Sequence, residues 1–164
     1  MKVSSTTTGT ILASFFVAAS PTDAQGYGSR PLFAVSRFSA GATPHSSIGY
    51  IELTWSYSPG ANASTCRASP ATYQVFPSVE QTPCNDPATS FNLTMRADGG
   101  ADLELWYEPR SGASAYGIHG IKAEEIVWAN QESPTGIVQV YAGMQNFTVR
   151  AIHPEVRNTV SLGF

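Results

Sequence analysis

Large apolar and polar residues alternate with a period of two along most of this chain. In Ile51, Glu52, Leu53, Thr54, Trp55, Ser56 and Tyr57 the bulky apolar side chains share one parity, as a half-buried β-strand requires. Phe91 to Arg96 repeats the pattern, and Leu103 and Leu105 alternate with Asp102 and Glu104. Asp98-Gly99-Gly100 separates these two runs and reads as a hairpin turn, since Asp and Gly tolerate the positive φ of tight turns. Further strands are expected over Leu32 to Ser39, Ala115 to Ala123, Glu125 to Trp128, Ile137 to Tyr141 and Phe147 to Ile152. Proline and glycine clusters at Pro31, Pro44, Ser58-Pro59-Gly60, Pro109, Ser133-Pro134-Thr135-Gly136 and Pro154 divide them.

This amounts to about eight strands at the spacing of an antiparallel sandwich or barrel. No window places apolar residues at the helical spacing, so an all-β domain with little or no helix is expected. Residues 59–87 are the least regular part, rich in Ser, Ala, Pro and Thr, and they carry both cysteines. Within them Thr72 to Phe76 reads either as loop or as a short edge strand. The tail after Pro154 either adds a strand at Thr159 to Leu162 or frays.

The first residues change the picture of where the domain begins. Lys2, an apolar run from Ile11 to Ala19 and then small residues read as a secretory signal over residues 1–24, too short to span a bilayer. Cleavage after Ala24 leaves a mature domain of about 140 residues, large enough for a core of its own. In an oxidising compartment the only two cysteines, Cys66 and Cys84, are expected to pair. Asn62-Ala-Ser64, Asn92-Leu-Thr94 and Asn146-Phe-Thr148 are N-glycosylation acceptors of the same compartment. Asn62 lies in a turn-rich stretch, whereas Asn92 and Asn146 lie in strands and need outward side chains.

Charge narrows the partners. The 164 residues carry a net charge of −3, and Lys2 and Lys122 are the only lysines. The arginines form no run that would neutralise phosphates, so nucleic acid is not an expected partner. Nor does the pattern imply a cofactor. His45, His119 and His153 have no metal-ligand spacing. Gly112-Ala-Ser114-Ala-Tyr116 lacks the second glycine and the strand-to-helix setting of a serine nucleophile. Glu52, Asp102 and Glu104 supply the carboxylates a glycosidase would need, but acids alternating along a strand describe an ordinary solvent face. Glu124-Glu125 reads as a solvated turn.

The aromatics carry the strongest signal for contact. If Leu103, Leu105 and Tyr107 point inward, Trp106 points outward with Asp102 and Glu104. The alternatives are a bulge that reverses the parity or a covering loop. Interface anchors are enriched in Trp, Tyr and Arg, so Trp106, Tyr107, Glu108 and Arg110, beside the Ser111 to Ala115 loop, form the expected partner-binding edge.

The segment Phe33-Ala-Val-Ser-Arg-Phe38-Ser-Ala-Gly-Ala-Thr-Pro44-His45-Ser46, followed by the Tyr50 to Tyr57 strand and a cysteine, resembles the opening of the Alternaria major-allergen-like family of small secreted fungal proteins. The resemblance runs from Leu32 to Ile152. It implies a β-barrel or sandwich without established enzymatic activity, acting as an allergen, elicitor or effector that binds host plant proteins or small aromatic compounds. With only Cys66 and Cys84 present, the covalent dimer of better-known members is not carried over. The leading expectation is therefore a secreted, non-enzymatic fungal effector or elicitor. An extracellular carrier of a small apolar or aromatic ligand, and a secreted hydrolase, are the alternatives.

Overall fold

The computed structural model describes residues 32–58, 60–132 and 135–153. The signal sequence and its Ala24 cleavage point, and the Thr159 to Leu162 tail, lie outside the described residues. Ten strands are present among them: β1 (Leu32–Ala42), β2 (Gly49–Ser56), β3 (Ser64–Ala68), β4 (Val79–Pro83), β5 (Thr89–Met95), β6 (Ala101–Tyr107), β7 (Ala115–Ile121), β8 (Ile126–Glu132), β9 (Thr135–Tyr141) and β10 (Phe147–Arg150). A single 3-10 turn at Ala123–Glu125 interrupts them, so the all-β expectation holds. No described helix is long and apolar enough to cross a membrane.

The strands form two antiparallel sheets. One runs β3-β2-β1-β9-β8 with β10 also on β1, and the other runs β4-β5-β6-β7. Two strands share one side of β1 because the strand is bent in its middle. Its register shifts between Ser36 and Ser39, and Arg37 takes a φ of 55°. Leu32 to Val35 then pair with β10, while Gly41 pairs with Val140 of β9. The gap between is filled by Phe38 N–H donating to the Gln145 carbonyl at 2.9 Å and Arg37 N–H donating to Asn146 Oδ1 at 3.1 Å.

The period-two parity sets the core. Phe33, Val35, Ile51, Leu53 and Trp55 from one sheet meet Phe91, Leu93, Leu103, Leu105 and Ile121 from the other, all buried. The sheets are not a closed barrel, but both seams are stitched. On one side Tyr116 and Ile152 exchange backbone hydrogen bonds at 2.9 and 2.7 Å. Here β7 and β10 approach so closely that a Cβ on Gly117 would sit 2.9 Å from Val149 Cγ1. On the other side, Cys66 of β3 and Cys84, just after β4, form the disulfide expected from the sequence. Asn85 N–H donates to the Thr65 carbonyl at 3.0 Å beside it.

Two details depart from the expected layout and another decides between its alternatives. There are ten strands rather than about eight, because 59–87 contains β3 and β4. Both are five-residue edge strands of mainly polar residues, whose order comes from the bridge and from the pairing of β3 with β2 and β4 with β5. Of the two alternatives for Thr72 to Phe76 the structure takes the loop, since Gln74 turns to a φ of 60°. It docks against β9 instead, with Gln139 N–H donating to the Gln74 carbonyl and Phe76 N–H donating to Gln139 Oε1, both at 2.7 Å. Third, β7 stops at Ile121, and Ala123 enters the 3-10 turn. The Asp98-Gly99 turn forms where the sequence places it, with Gly99 at a φ of 85° and Arg96 N–H donating to the Gly100 carbonyl.

Candidate functional site

The four-stranded sheet leaves one face uncovered by the other sheet, and β6 runs through its middle. Leu103 and Leu105 are buried, so Asp102, Glu104 and Trp106 project from the opposite face. Register then fixes their neighbours. Asp102 lies across from Thr94 and Gly120, Glu104 from Asn92 and Ile118, and Trp106 from Ser90 and Tyr116.

Each of the three rungs has a different chemistry. Asp102 is paired with Arg96, whose Nη1 donates to Oδ1 at 2.5 Å. Glu104 accepts one hydrogen bond, from Asn92 Nδ2 at 3.1 Å, and takes part in none of the ion pairs among the described residues. Trp106 is half-buried and stacks on Tyr116 with ring centres 5.0 Å apart and planes inclined by 21°. Trp106 Nε1 and Asn92 Oδ1 are both buried without a hydrogen-bond partner. Ile118, beside Glu104, is 49% exposed.

The expected partner-binding edge is split by this geometry. Trp106 points outward, as its parity implies. Tyr107 turns inward and stacks on Tyr57 at 4.1 Å, where lost hydration first, and then the Tyr57 hydroxyl, push its phenol above the ordinary value. Glu108 and Arg110 are exposed and, with Asp86, Pro87, Ala88 and Pro109, line a cleft of about 240 Å³. Glu108 N–H closes that corner by donating to the Ala88 carbonyl at 2.7 Å. A second cleft of about 350 Å³ lies against the disulfide, lined by Thr65, Arg67, Pro83, Cys84 and Asn85.

Of the groups weighed for catalysis, Asp102 and Glu104 share the outer face of β6, and the others lie apart from them. Glu52 is on the six-stranded sheet in an exposed ion pair with Arg67 at 2.6 Å, away from Asp102 and Glu104. His45 is exposed in the turn after β1. His153 Nδ1 lies 3.2 Å from the backbone carbonyl of Ser114, not from its hydroxyl. Among the described residues no group of three His, Cys, Asp or Glu side chains is placed to hold a metal ion. Of the acceptor asparagines, Asn62 and Asn146 are exposed, whereas Asn92 is half-buried with its Nδ2 committed to Glu104.

His119 is the one histidine packed into the fold, stacked on Phe147 at 3.9 Å. Burial holds its pKa below the ordinary value, and the nearby Glu125 only partly opposes this. Below its unfolded-state pKa the unfolded chain therefore binds more protons than the folded one, so stability falls with pH from there down through the folded-state value. Melting temperature is expected to rise with pH across that window, and His119→Gln should flatten the rise. A profile that is unchanged in His119→Gln would place the dependence elsewhere.

Reading the sequence alone missed Tyr116 and Asn92 as neighbours of this face. Asn92 was within reach, because the Asp98-Gly99 turn counts residue 92 onto residue 104. Tyr116 was not, since β6 and β7 are joined by a loop of no fixed turn type. Comparison with known protein families, curated proteins and solved structures finds no match. The resemblance to the Alternaria allergen-like proteins accordingly rests on the sequence alone, on Phe33 to Ser46 with the Tyr50 to Tyr57 strand and the cysteine that follow.

Proposed function

We propose that this is a secreted fungal protein that acts by binding, as an effector or elicitor recognised at the plant apoplast, and that the outer face of β6 is its contact surface. One observation carries the reading: Trp106 stands outward, stacked on Tyr116 beside the exposed Ile118 and an acid that no cation among the described residues neutralises. An aromatic anchor on apolar ground is the composition of an interface centre, and charged groups such as Glu104 belong to its rim. The apolar run of residues 11–19, the Cys66–Cys84 bridge and the Phe33 to Ser46 motif support the compartment and the family. The space between the sheets is filled by Trp55, Phe33, Phe91 and their neighbours, so carriage of a ligand inside would have to displace core side chains.

Replacement of the anchor tests the proposal. Trp106 is only half-buried, so Trp106→Ala is expected to cost about 1–2 kcal/mol, less than the roughly 3–5 kcal/mol of a core aromatic. The folded variant, infiltrated into leaf apoplast, should lose the defence response that the unaltered protein raises. A loss of stability in the core range would make Trp106 a packing residue. A full response from the folded variant would move the contact surface elsewhere.

A further inference from the structure

We propose that the Glu104 rung of β6 is a docking site for an arginine side chain of a partner protein, with the carboxylate as counter-ion and the Trp106–Tyr116 pair as a stacking wall. This rests on the preceding reading that the sheet face is a contact surface, and it names the chemistry of the contact.

Asp102, Glu104 and Trp106 alternate along one strand, so their outward positions follow at intervals of about 7 Å. The Asp102 rung already holds a guanidinium. Arg96 lies on Asp102 at 2.5 Å, in space that Gly120 leaves open, since a Cβ there would sit 3.3 Å from Arg96 Nη1. The Glu104 rung offers a carboxylate with no cation on it among the described residues. Among the described residues its one hydrogen bond comes from a neutral amide. The complement of a carboxylate so placed is a cation that donates hydrogen bonds.

Two further features select among cations. The Trp106–Tyr116 pair at one side presents π density, which attracts a positive charge. Ile118, 49% exposed directly across from Glu104, gives apolar ground for a methylene stem. Guanidinium satisfies all three at once, because its flat fork can bond a carboxylate at two points while stacking on an aromatic ring. Ammonium satisfies the charge and forgoes the fork. Phosphate groups are repelled by Glu104, in keeping with a protein partner.

The probe is the capped tripeptide acetyl-Gly-Arg-Gly-amide, titrated into isotope-labelled mature protein. The Trp106 indole N–H resonance, assigned with Trp106→Phe, and the Asn92 side-chain amide are followed by nuclear magnetic resonance. Saturable shifts at both are expected, with Kd on the order of 1–10 mM. Binding should weaken about tenfold in Glu104→Gln and also weaken with added salt. The lysine peptide should bind less well, and the glutamine peptide should leave both resonances in place. The assignment is overturned if the arginine peptide gives no saturable shift, if the glutamine peptide binds equally to the unaltered protein, or if a well-dispersed Glu104→Gln binds undiminished. The two proposals fail separately. Peptide binding with a full leaf response from Trp106→Ala breaks the functional reading alone, whereas a lost leaf response without peptide binding breaks the arginine assignment alone.

Discussion

Protein with Cys66 and Cys84 both changed to alanine is expected to lose about 3 kcal/mol of stability and to melt roughly 10 °C lower. The bridge closes a loop over a sequence separation of 18, which limits the freedom of the unfolded chain. It also does something local. β3 and β4 are edge strands of different sheets, each paired on one side only, and Cys66 is fully buried where they meet. Around the bridge, Ser64 Oγ lies 2.7 Å from Thr89 Oγ1 and 2.8 Å from Asn85 Oδ1, so a small polar network depends on the seam staying shut. Amide exchange in β3 and β4 should therefore accelerate more than in β6, whose two neighbours remain. Alanine is the better replacement at Cys66, because a serine hydroxyl would be buried there at a further cost. A melting temperature within about 2 °C of the unaltered protein would show that the seam is held by pairing alone.

The same seam marks the limit of what the chain discloses on reading. Period-two alternation located β2, β5 and β6, because a strand with one face in the core must write that face into its sequence, and apolar runs between proline and glycine clusters located β1, β7, β8, β9 and β10. β3 and β4 write little. Ser-Thr-Cys-Arg-Ala and Val-Glu-Gln-Thr-Pro are half exposed at sheet edges, and their order is imposed by a covalent bond and by the strands beside them. The bend at Arg37 was equally silent, since its positive φ answers to two strands competing for β1 and not to a glycine at that position. For the outer face of β6, parity offered an outward Trp106 and an inward Tyr107 as one reading beside a bulge or a covering loop, and placed Tyr107 in the partner-binding edge all the same. What parity could not supply was the lateral order of strands, and with it Tyr116 beside Trp106.

Trp55→Ala is expected to be the most damaging single change, at about 3–5 kcal/mol. The side chain is fully buried, lies 4.8 Å from Phe33 and is anchored in register between Val35 of β1 and Ser64 of β3. Truncation leaves an indole-sized void between sheets whose positions are fixed at both seams, so the surroundings have little room to collapse into it. Trp55→Phe separates volume from polarity. Trp55 Nε1 is buried without an acceptor, and an unsatisfied donor costs on the order of 1–3 kcal/mol. Phenylalanine removes that donor while keeping much of the contact with Phe33, so its net cost should be about 1 kcal/mol or less. Urea denaturation of the two variants checks both values, with m unchanged if the denatured state is unaffected. If Trp55→Phe proved as costly as Trp55→Ala, the indole N–H would have to be hydrogen-bonded in solution, by a buried water in the adjoining core.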